Sequence, residues 1–305
     1  MQKYEEYAQR LREAMKGGGT DEDTIIQITG STKNSDRLNI RQAYKAAFGR
    51  DLIEDVEDDL TGDFKKVVIG MYRSPVEYDV TEIYEAFNGA GTDEDTLTEI
   101  IGSRSNYRLK EIKKLYKEKY GEDLESRISS EASADYKKLL TSILQCNRDE
   151  SNNVDNSSVE KDVKALYDAG EGKWGTDEEV FNRIFALRNS LYLKALDQAY
   201  AKKSGKRLID VVESEFSGDV KVLLKTILHA HVNPADYYAQ RIYKACKGWG
   251  TNDSMLIRAF VTMDEIYMEE IKKIYQKKYG TSIYDQVKDE ISGDYQRMIL
   301  ALVNN

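Results

Sequence analysis

The chain has few of the residues that build cross-linked or membrane-spanning proteins. Its 305 residues include only two cysteines and two prolines. Cys146 and Cys246 are too few for a disulfide framework and stand in no Cys-x-x-Cys arrangement, so we expect ordinary reduced thiols. No apolar run approaches the roughly 18 residues of a spanning helix, and the charged start MQKYEEYAQR lacks the apolar centre of a secretory signal. We therefore expect a soluble cytoplasmic protein.

Positive charge is also in deficit, with a formal net charge of −9. Binding to nucleic acid requires clustered lysine and arginine, so we expect no nucleic-acid partner. The cytoplasmic leaflet of a membrane carries a surface potential of about −30 mV, which repels a chain of this charge. Any contact with phosphate groups therefore needs a positive bridge.

Glycine, by contrast, is concentrated in four short segments that each continue into threonine and polar or acidic residues. The segments are KGGGTDED (16–23), NGAGTDED (88–95), GKWGTDEE (172–179) and KGWGTNDS (247–254). Their threonines, at positions 20, 92, 176 and 251, are 72, 84 and 75 residues apart. A feature that recurs four times at similar spacing predicts four homologous repeats.

Apolar residues follow the period of amphipathic helices, as at Tyr4, Ala8, Leu11 and Met15. No convincing alternating strand occurs, so we predict an all-α fold with about five helices in each repeat. The polar segment NRDESNNVDNSS is typical of a linker between two halves of two repeats each. The predicted boundaries are 1–73 for repeat 1, 74–146 for repeat 2, 147–158 for the linker, 159–232 for repeat 3 and 233–305 for repeat 4.

Each glycine segment falls between the first and second predicted helices of its repeat. Glycines can end the first helix by adopting positive φ. The threonine is predicted to be the N-cap of the second helix, with acids in its first turn. Capping accounts for one or two glycines, but not for the recurrence of the whole segment with a second feature at a fixed distance.

That second feature is an acid forty residues after the last glycine of each segment. The pairs are Gly19 with Asp59, Gly91 with Glu131, Gly175 with Glu215, and Gly250 with Glu290. Only 54 of the 305 residues are acidic, so four matches at one spacing are not expected by chance. A glycine-rich loop can turn several backbone carbonyls toward one point, and one carboxylate adds two oxygens. Calcium takes six to eight oxygen ligands, so the pattern predicts four calcium sites.

Other binding chemistries fit less well. A nucleotide-binding loop needs a preceding strand and a following Lys-Ser or Lys-Thr, whereas acids follow these glycines. The Asp-x-Asp-x-Asp-Gly pattern of an EF-hand does not occur. His229 and His231 are two residues apart near a predicted helix end, so they do not share the helix face that a joint metal site would need.

Over its whole length the chain resembles the annexins, whose repeats carry Gly-x-Gly-Thr followed about forty residues later by Asp or Glu. The segment AGEGKWGTDEE (169–179) is similar to the third-repeat version of this pattern. The resemblance implies that backbone carbonyls and one carboxylate bind calcium in each repeat. The implied ligands are Met15, Gly17, Gly19 and Asp59 in repeat 1, Phe87, Gly89, Gly91 and Glu131 in repeat 2, Gly170, Lys173, Gly175 and Glu215 in repeat 3, and Cys246, Gly248, Gly250 and Glu290 in repeat 4.

The resemblance also implies a slightly curved α-helical disc whose convex face carries the calcium loops and meets acidic phospholipid membranes. The protein would then be a non-enzymatic, cytoplasmic protein that calcium recruits to membranes. A structural or cytoskeleton-associated role, with protein as the main partner, is the alternative. Annexins that recruit partners through an N-terminal tail do so with residues that this chain lacks, so we expect no such partner.

Two positions depart from the common pattern. Ala134 stands where the other three repeats have glycine, and an alanine forced into left-handed backbone angles costs about 1–2 kcal/mol, so site 2 is expected to be the weakest. Trp174 and Trp249 each precede the last loop glycine. They either pack against the neighbouring loop or, as we favour, contact the membrane, where an amphipathic ring suits the headgroup region.

Overall fold

The computed structural model describes residues 2–89, 91–248, 250–263 and 267–304, with the backbone alone at position 134. Within these ranges it contains twenty α-helices, five in each repeat, and no β-sheet. Repeats 1 and 2 contain α1 Gln2–Ala14, α2 Glu22–Gly30, α3 Asn34–Phe48, α4 Leu52–Asp59, α5 Gly62–Tyr72, α6 Pro75–Phe87, α7 Glu94–Ser103, α8 Asn106–Tyr120, α9 Leu124–Glu131 and α10 Ala134–Leu144. Repeats 3 and 4 contain α11 Asn156–Ala169, α12 Glu178–Leu187, α13 Ser190–Ser204, α14 Leu208–Glu215, α15 Gly218–Val232, α16 Pro234–Cys246, α17 Asp253–Thr262, α18 Met268–Tyr279, α19 Ile283–Glu290 and α20 Gly293–Val303. The predicted all-α fold of four five-helix repeats is confirmed.

Local sequence explains where the helices begin and end. Pro75 and Pro234 are the first residues of α6 and α16, where the missing backbone N–H costs nothing and the fixed φ suits a helix. The third helix of every repeat ends at a left-handed glycine. These C-caps are Gly49, Gly121, Gly205 and Gly280, with φ between 71° and 77°.

The helices form two compact units, and these do not follow the two sequence halves that we predicted. One unit contains Met1–Tyr78 together with Tyr238–Asn305, and the other contains Asp79–Tyr237. Repeat 1 therefore packs with repeat 4, and repeat 2 packs with repeat 3. In each unit the second helix of one repeat packs against the fifth helix of the other, through α2 with α20 and α17 with α5, and through α7 with α15 and α12 with α10.

Small residues allow these second and fifth helices to approach closely. A Cβ added at Gly30 of α2 would lie 2.8 Å from the Ala301 Cβ of α20. A Cβ at Gly102 of α7 would lie 3.0 Å from Leu223 of α15. Because real Cβ atoms essentially never come within 3 Å of other atoms, a larger residue at Gly30 would force α2 and α20 apart, whereas at Gly102 the Leu223 side chain would have to shift.

The polar segment 147–158 is bound to the repeats on either side of it. The Asp149 N–H donates to the Leu187 carbonyl over 2.7 Å, and the Asn106 side chain donates to the Arg148 carbonyl over 2.7 Å. The helix α11 already begins at Asn156, inside the segment predicted as a linker. In the described part of the chain, no helix is both long and apolar enough to cross a membrane.

Candidate metal sites

The four glycine segments form loops between the first and second helices of their repeats. We number them loop 1 (residues 15–21), loop 2 (88–93), loop 3 (170–177) and loop 4 (247–252). Each loop is closed by one backbone hydrogen bond from its last residue to an alanine near the end of the first helix. These bonds are Asp21 N to Ala14 O, Asp93 N to Ala86 O, Asp177 N to Ala169 O and Asn252 N to Ala245 O, all of 2.7–2.8 Å. All four loops are therefore closed in the same way.

The predicted N-caps were wrong by one residue in every repeat. The caps are Asp21, Asp93, Asp177 and Asn252 rather than the preceding threonines. Asp21 accepts from the Thr24 N–H over 3.1 Å, for example. A carboxylate or amide next to the threonine caps the helix equally well, which leaves the threonine hydroxyl free for another partner.

That partner is the acid forty residues on. The Thr20 hydroxyl donates to Asp59 Oδ2 over 2.8 Å, and the Thr176 hydroxyl donates to Glu215 Oε2 over 2.7 Å. In repeat 4 the Thr251 hydroxyl reaches the backbone carbonyl of Glu290 over 3.5 Å. The structure thus brings the loop and the acid together in repeats 1, 3 and 4.

The acids occupy electrostatically unfavourable positions. Asp59, Glu131, Glu215 and Glu290 are each the last residue of the fourth helix of their repeat. The helix dipole disfavours a carboxylate at a C-terminus by about 0.3–1 kcal/mol. Four acids at four such ends contribute nothing to helix stability, so a bound cation accounts for them better than capping does.

Loops 1 and 4 have the backbone freedom and the space that a ligand needs. Gly17 and Gly19 of loop 1 have φ of 107° and 136°, and Gly248 and Gly250 of loop 4 have 135° and 88°. Apart from their own neighbours in the chain, no heavy atom of the described residues lies within 4 Å of a Cβ placed on any of these four glycines. Their carbonyls can therefore face an ion without a side chain obstructing it.

Loop 3 is longer than the other loops, and its first residue lies next to its acid. A Cβ at Gly170 would lie 3.6 Å from the Glu215 Cγ, so this implied ligand residue is next to the implied carboxylate. A Cβ at Gly172 would lie 2.8 Å from the Tyr167 carbonyl, which excludes other residues there. Lys173 and Gly175 are exposed at the loop tip.

The donor set of loops 1, 3 and 4 fits a hard divalent cation. Carbonyl oxygens and a single carboxylate are ligands that calcium accepts. No group of three or more His, Cys, Asp or Glu side chains that could hold a metal occurs among the described residues.

Site 2 differs from the other sites in two places, the first glycine of its loop and the turn that follows its acid. Gly89, which corresponds to Gly17 and Gly248, is not among the glycines with positive φ, and the Gly91 carbonyl oxygen lies 3.6 Å from a Cβ placed on it. In the turn after the acid, Ser133 has φ −65°, whereas the matching residues Thr61, Ser217 and Ser292 have φ between −136° and −142°.

In loop 2 an arginine contacts the implied ligands. Arg127 Nη2 lies 3.5 Å from Glu131 Oε1, and the same nitrogen donates to the Phe87 carbonyl over 3.4 Å. Thr92 makes no hydrogen bond to Glu131 within the described structure. Sequence reasoning missed Arg127. The available signal was a basic residue one helical turn before the acid, a position that holds Asp55, Val211 and Gln286 in the other repeats.

The two cysteine thiols and the two histidine rings have surroundings that explain them without a metal. Burial raises the pKa of the Cys246 thiol to about 12, with a further contribution from the charge of Glu290, and burial also raises the pKa of Cys146. Both thiols therefore stay protonated at neutral pH. His229 pairs with Asp236 over 2.6 Å, while the His231 ring lies 3.2 Å from the Ser190 hydroxyl. The two histidines thus have different partners and do not form a joint metal site.

Trp174 is fully solvent-exposed at the tip of loop 3, with a relative exposure of 104%. The alternative of packing against the neighbouring loop does not apply to this ring. Trp249 lies outside the described residues, and so does the matching Ala90 of loop 2.

The hydrogen bond from the loop threonine to the acid, which we call the threonine bridge, gives a testable prediction at site 3. Thr176→Val removes the hydroxyl that fixes the Glu215 carboxylate, and we expect it to raise the calcium concentration needed at site 3 by about threefold to tenfold, because one hydrogen bond contributes roughly 0.5–1.5 kcal/mol. Calcium titration followed by the backbone amide NMR signal of Gly175, in loop 3, measures this change. Thr92→Val is the matched control, since Thr92 lacks the bridge, and equal effects of the two substitutions would contradict a role for the bridge.

Comparisons with known proteins agree with the resemblance. The annexin family model matches residues 6–71, 78–143, 161–227 and 237–302. Annexin A5 of Bos taurus is 41% identical over 295 residues, which cover 97% of this chain and 92% of the relative. The solved structure of annexin III has a TM-score of 0.94 at 35% identity, covering 99% of this chain and 94% of the other. The calcium-bound structure of annexin (Sm)1 has a TM-score of 0.88 at 29% identity, covering 99% and 90%. With its four repeats matched by the family model and three of its loops hydrogen-bonded to the predicted acids, this chain belongs to the annexin family.

Proposed function

We propose that the protein binds acidic phospholipid membranes in a calcium-dependent manner, as a peripheral binding protein rather than an enzyme. The observation that carries this proposal is the pairing of a glycine loop with the terminal acid of the fourth helix, through Thr20 with Asp59 and Thr176 with Glu215. A relative of known structure, annexin (Sm)1, has been solved with calcium bound. In this chain Met15, Gly17 and Gly19 would supply carbonyl ligands at site 1, and Glu215 and Glu290 the carboxylates at sites 3 and 4.

Weak individual sites suit a reversible membrane switch. A site with one carboxylate has few charged ligands, and weak calcium sites have dissociation constants on the order of 10⁻⁴–10⁻³ M. Phosphoryl oxygens of a lipid can complete the coordination shell. Lipid then raises the affinity for calcium and calcium raises the affinity for lipid by the same factor. Several such sites in one molecule act together through their high effective concentration.

Calcium also resolves the charge conflict with the membrane. Calcium ions at sites 1, 3 and 4 would add 6 to the formal net charge of −9 and leave −3. The added charge lies at the loops, where it faces the lipid headgroups. Repulsion by an acidic surface is thereby replaced by local attraction.

Co-sedimentation with vesicles tests the proposal. We expect the protein to pellet with phosphatidylserine-containing vesicles in millimolar calcium, to stay in solution with neutral vesicles, and to be released by a chelator. Pelleting with cytoskeletal filaments in the absence of calcium, without vesicle binding, would favour the alternative of a cytoskeleton-associated protein. Calcium-independent vesicle binding would contradict the proposed mechanism.

A further inference from the structure

We propose that loop 2 takes no calcium in this protein because Arg127 is its resident cation. This inference rests on the proposed function, since it assumes that the other three loops bind calcium. It makes Arg127 the residue that determines how many ions the protein takes up. The basis is the position of its guanidinium, the backbone of the loop, and the residues at matching positions in the other repeats.

The guanidinium already contacts the ligands that a calcium ion would use. A single nitrogen, Nη2, lies 3.4 Å from the Phe87 carbonyl oxygen and 3.5 Å from Glu131 Oε1. Calcium would need both oxygens at 2.3–2.6 Å. An ion between them would come into close contact with a like charge, so the arginine would have to leave first.

The aromatic ring of Phe87 also stabilises Arg127 in this position. The guanidinium carbon of Arg127 lies 5.4 Å from the centre of this ring, within the range of a cation–π interaction. Displacing Arg127 therefore breaks a hydrogen bond, an ion pair and a ring contact at once. The side chain is 30% exposed, and that of Glu131 is 35% exposed, so the group is partly shielded from water that would otherwise compensate the loss.

The other three repeats have no basic residue at the position that matches Arg127. The residue one turn before the acid is Asp55 in repeat 1, Val211 in repeat 3 and Gln286 in repeat 4. Gln286 donates a neutral amide to Glu290 Oε1 over 3.0 Å, which an ion can displace without repulsion. The position thus carries a positive charge only beside loop 2.

The backbone of loop 2 agrees with this assignment. In loops 1 and 4 the first glycine has positive φ and open space around it, at Gly17 and Gly248. In loop 2, Gly89 lacks that conformation and faces the Gly91 carbonyl. The carbonyl oxygen of Gly91, an implied ligand, therefore lies next to Gly89 of its own loop.

A calcium titration followed by backbone amide NMR signals tests the proposal, because each loop then reports separately in one sample. In the native protein we expect the Gly19, Gly175 and Gly250 signals to shift with calcium while the Gly91 signal stays still. In Arg127→Gln, which copies the fourth repeat, we expect the Gly91 signal to shift with an apparent affinity within about tenfold of the other loops. Arg127→Val, which copies the third repeat, provides a second variant.

The matched control is Lys114→Gln, which removes one exposed positive charge from the same repeat without touching the loop. We expect its Gly91 signal to stay still, as in the native protein. A Gly91 shift in the native protein, at the same calcium as the other loops, would overturn the inference. So would a Gly91 signal that stays still in both Arg127 variants. If no loop signal moves in any protein, the proposed calcium-binding function itself fails.

Discussion

Calcium-dependent binding to acidic vesicles is expected to be lost when Asp59→Asn, Glu215→Gln and Glu290→Gln are combined. Each substitution keeps the shape of the side chain but removes the only carboxylate that its site has. Each substitution alone should raise the calcium midpoint of vesicle binding. It should not abolish binding, because the remaining sites still attach the protein. Together they should raise it by a factor on the order of a hundred or more, since sites that act through a shared effective concentration lose affinity multiplicatively. Co-sedimentation across a calcium series measures the midpoint.

Glu131→Gln is the matched control for this series. Its carboxylate pairs with Arg127 instead of a threonine, so its loss should change the calcium midpoint least. The folded state should survive all four changes, because removing a negative charge from a helix C-terminus is neutral or favourable by about 0.3–1 kcal/mol. Thermal unfolding checks this point. Unchanged vesicle binding in the triple variant would mean that the forty-residue spacing has no role in calcium binding.

Much of the site could be predicted because it is local or repeated. Helical periodicity predicts the all-α fold, and the recurrence of glycine loops predicts the four repeats. The spacing from Gly19 to Asp59 indicates a joint role for loop and acid, and the hydrogen bond from Thr20 supplies the physical form of that role. A spacing that would be ambiguous in one repeat becomes informative because four repeats share it.

The errors arose where one residue had two possible partners. A threonine before Asp or Asn can cap a helix or use its hydroxyl elsewhere, and sequence alone ranks these options by frequency. The neighbouring Asp21 takes the cap, so Thr20 is available to Asp59. The same ambiguity affected Arg127, which periodicity places on a helix surface but which tertiary contact places on the Phe87 carbonyl.

The pairing of repeats required tertiary information as well. The polar segment suggested that sequence neighbours form the two halves, yet repeat 1 packs with repeat 4. Close approach of α2 to α20 depends on a glycine meeting a small residue, Gly30 against Ala301. The sequence of either helix alone does not predict which helix it packs against, because many helices carry one small residue on an apolar face.

The emission of Trp174 should shift strongly to the blue when calcium and acidic vesicles are both present. The ring is fully exposed at the tip of loop 3, so it starts in water and can undergo the largest possible change on reaching the headgroup boundary. Because the ring is already exposed, calcium does not have to turn it outward. Calcium alone should therefore change the emission little.

The experiment needs a protein in which Trp174 is the only tryptophan, and Trp249→Phe provides it. In that background, calcium with phosphatidylserine vesicles should give the blue shift, while calcium with neutral vesicles should not, because neutral lipid does not attract the calcium-loaded loops. Trp174→Ala should weaken vesicle binding by only about threefold to tenfold, since partial burial of an aromatic ring is worth roughly 1 kcal/mol and the calcium bridges remain. If the single-tryptophan protein pellets with the vesicles while its emission is unchanged, loop 3 does not enter the headgroup region, and membrane contact must be assigned to another part of the molecule.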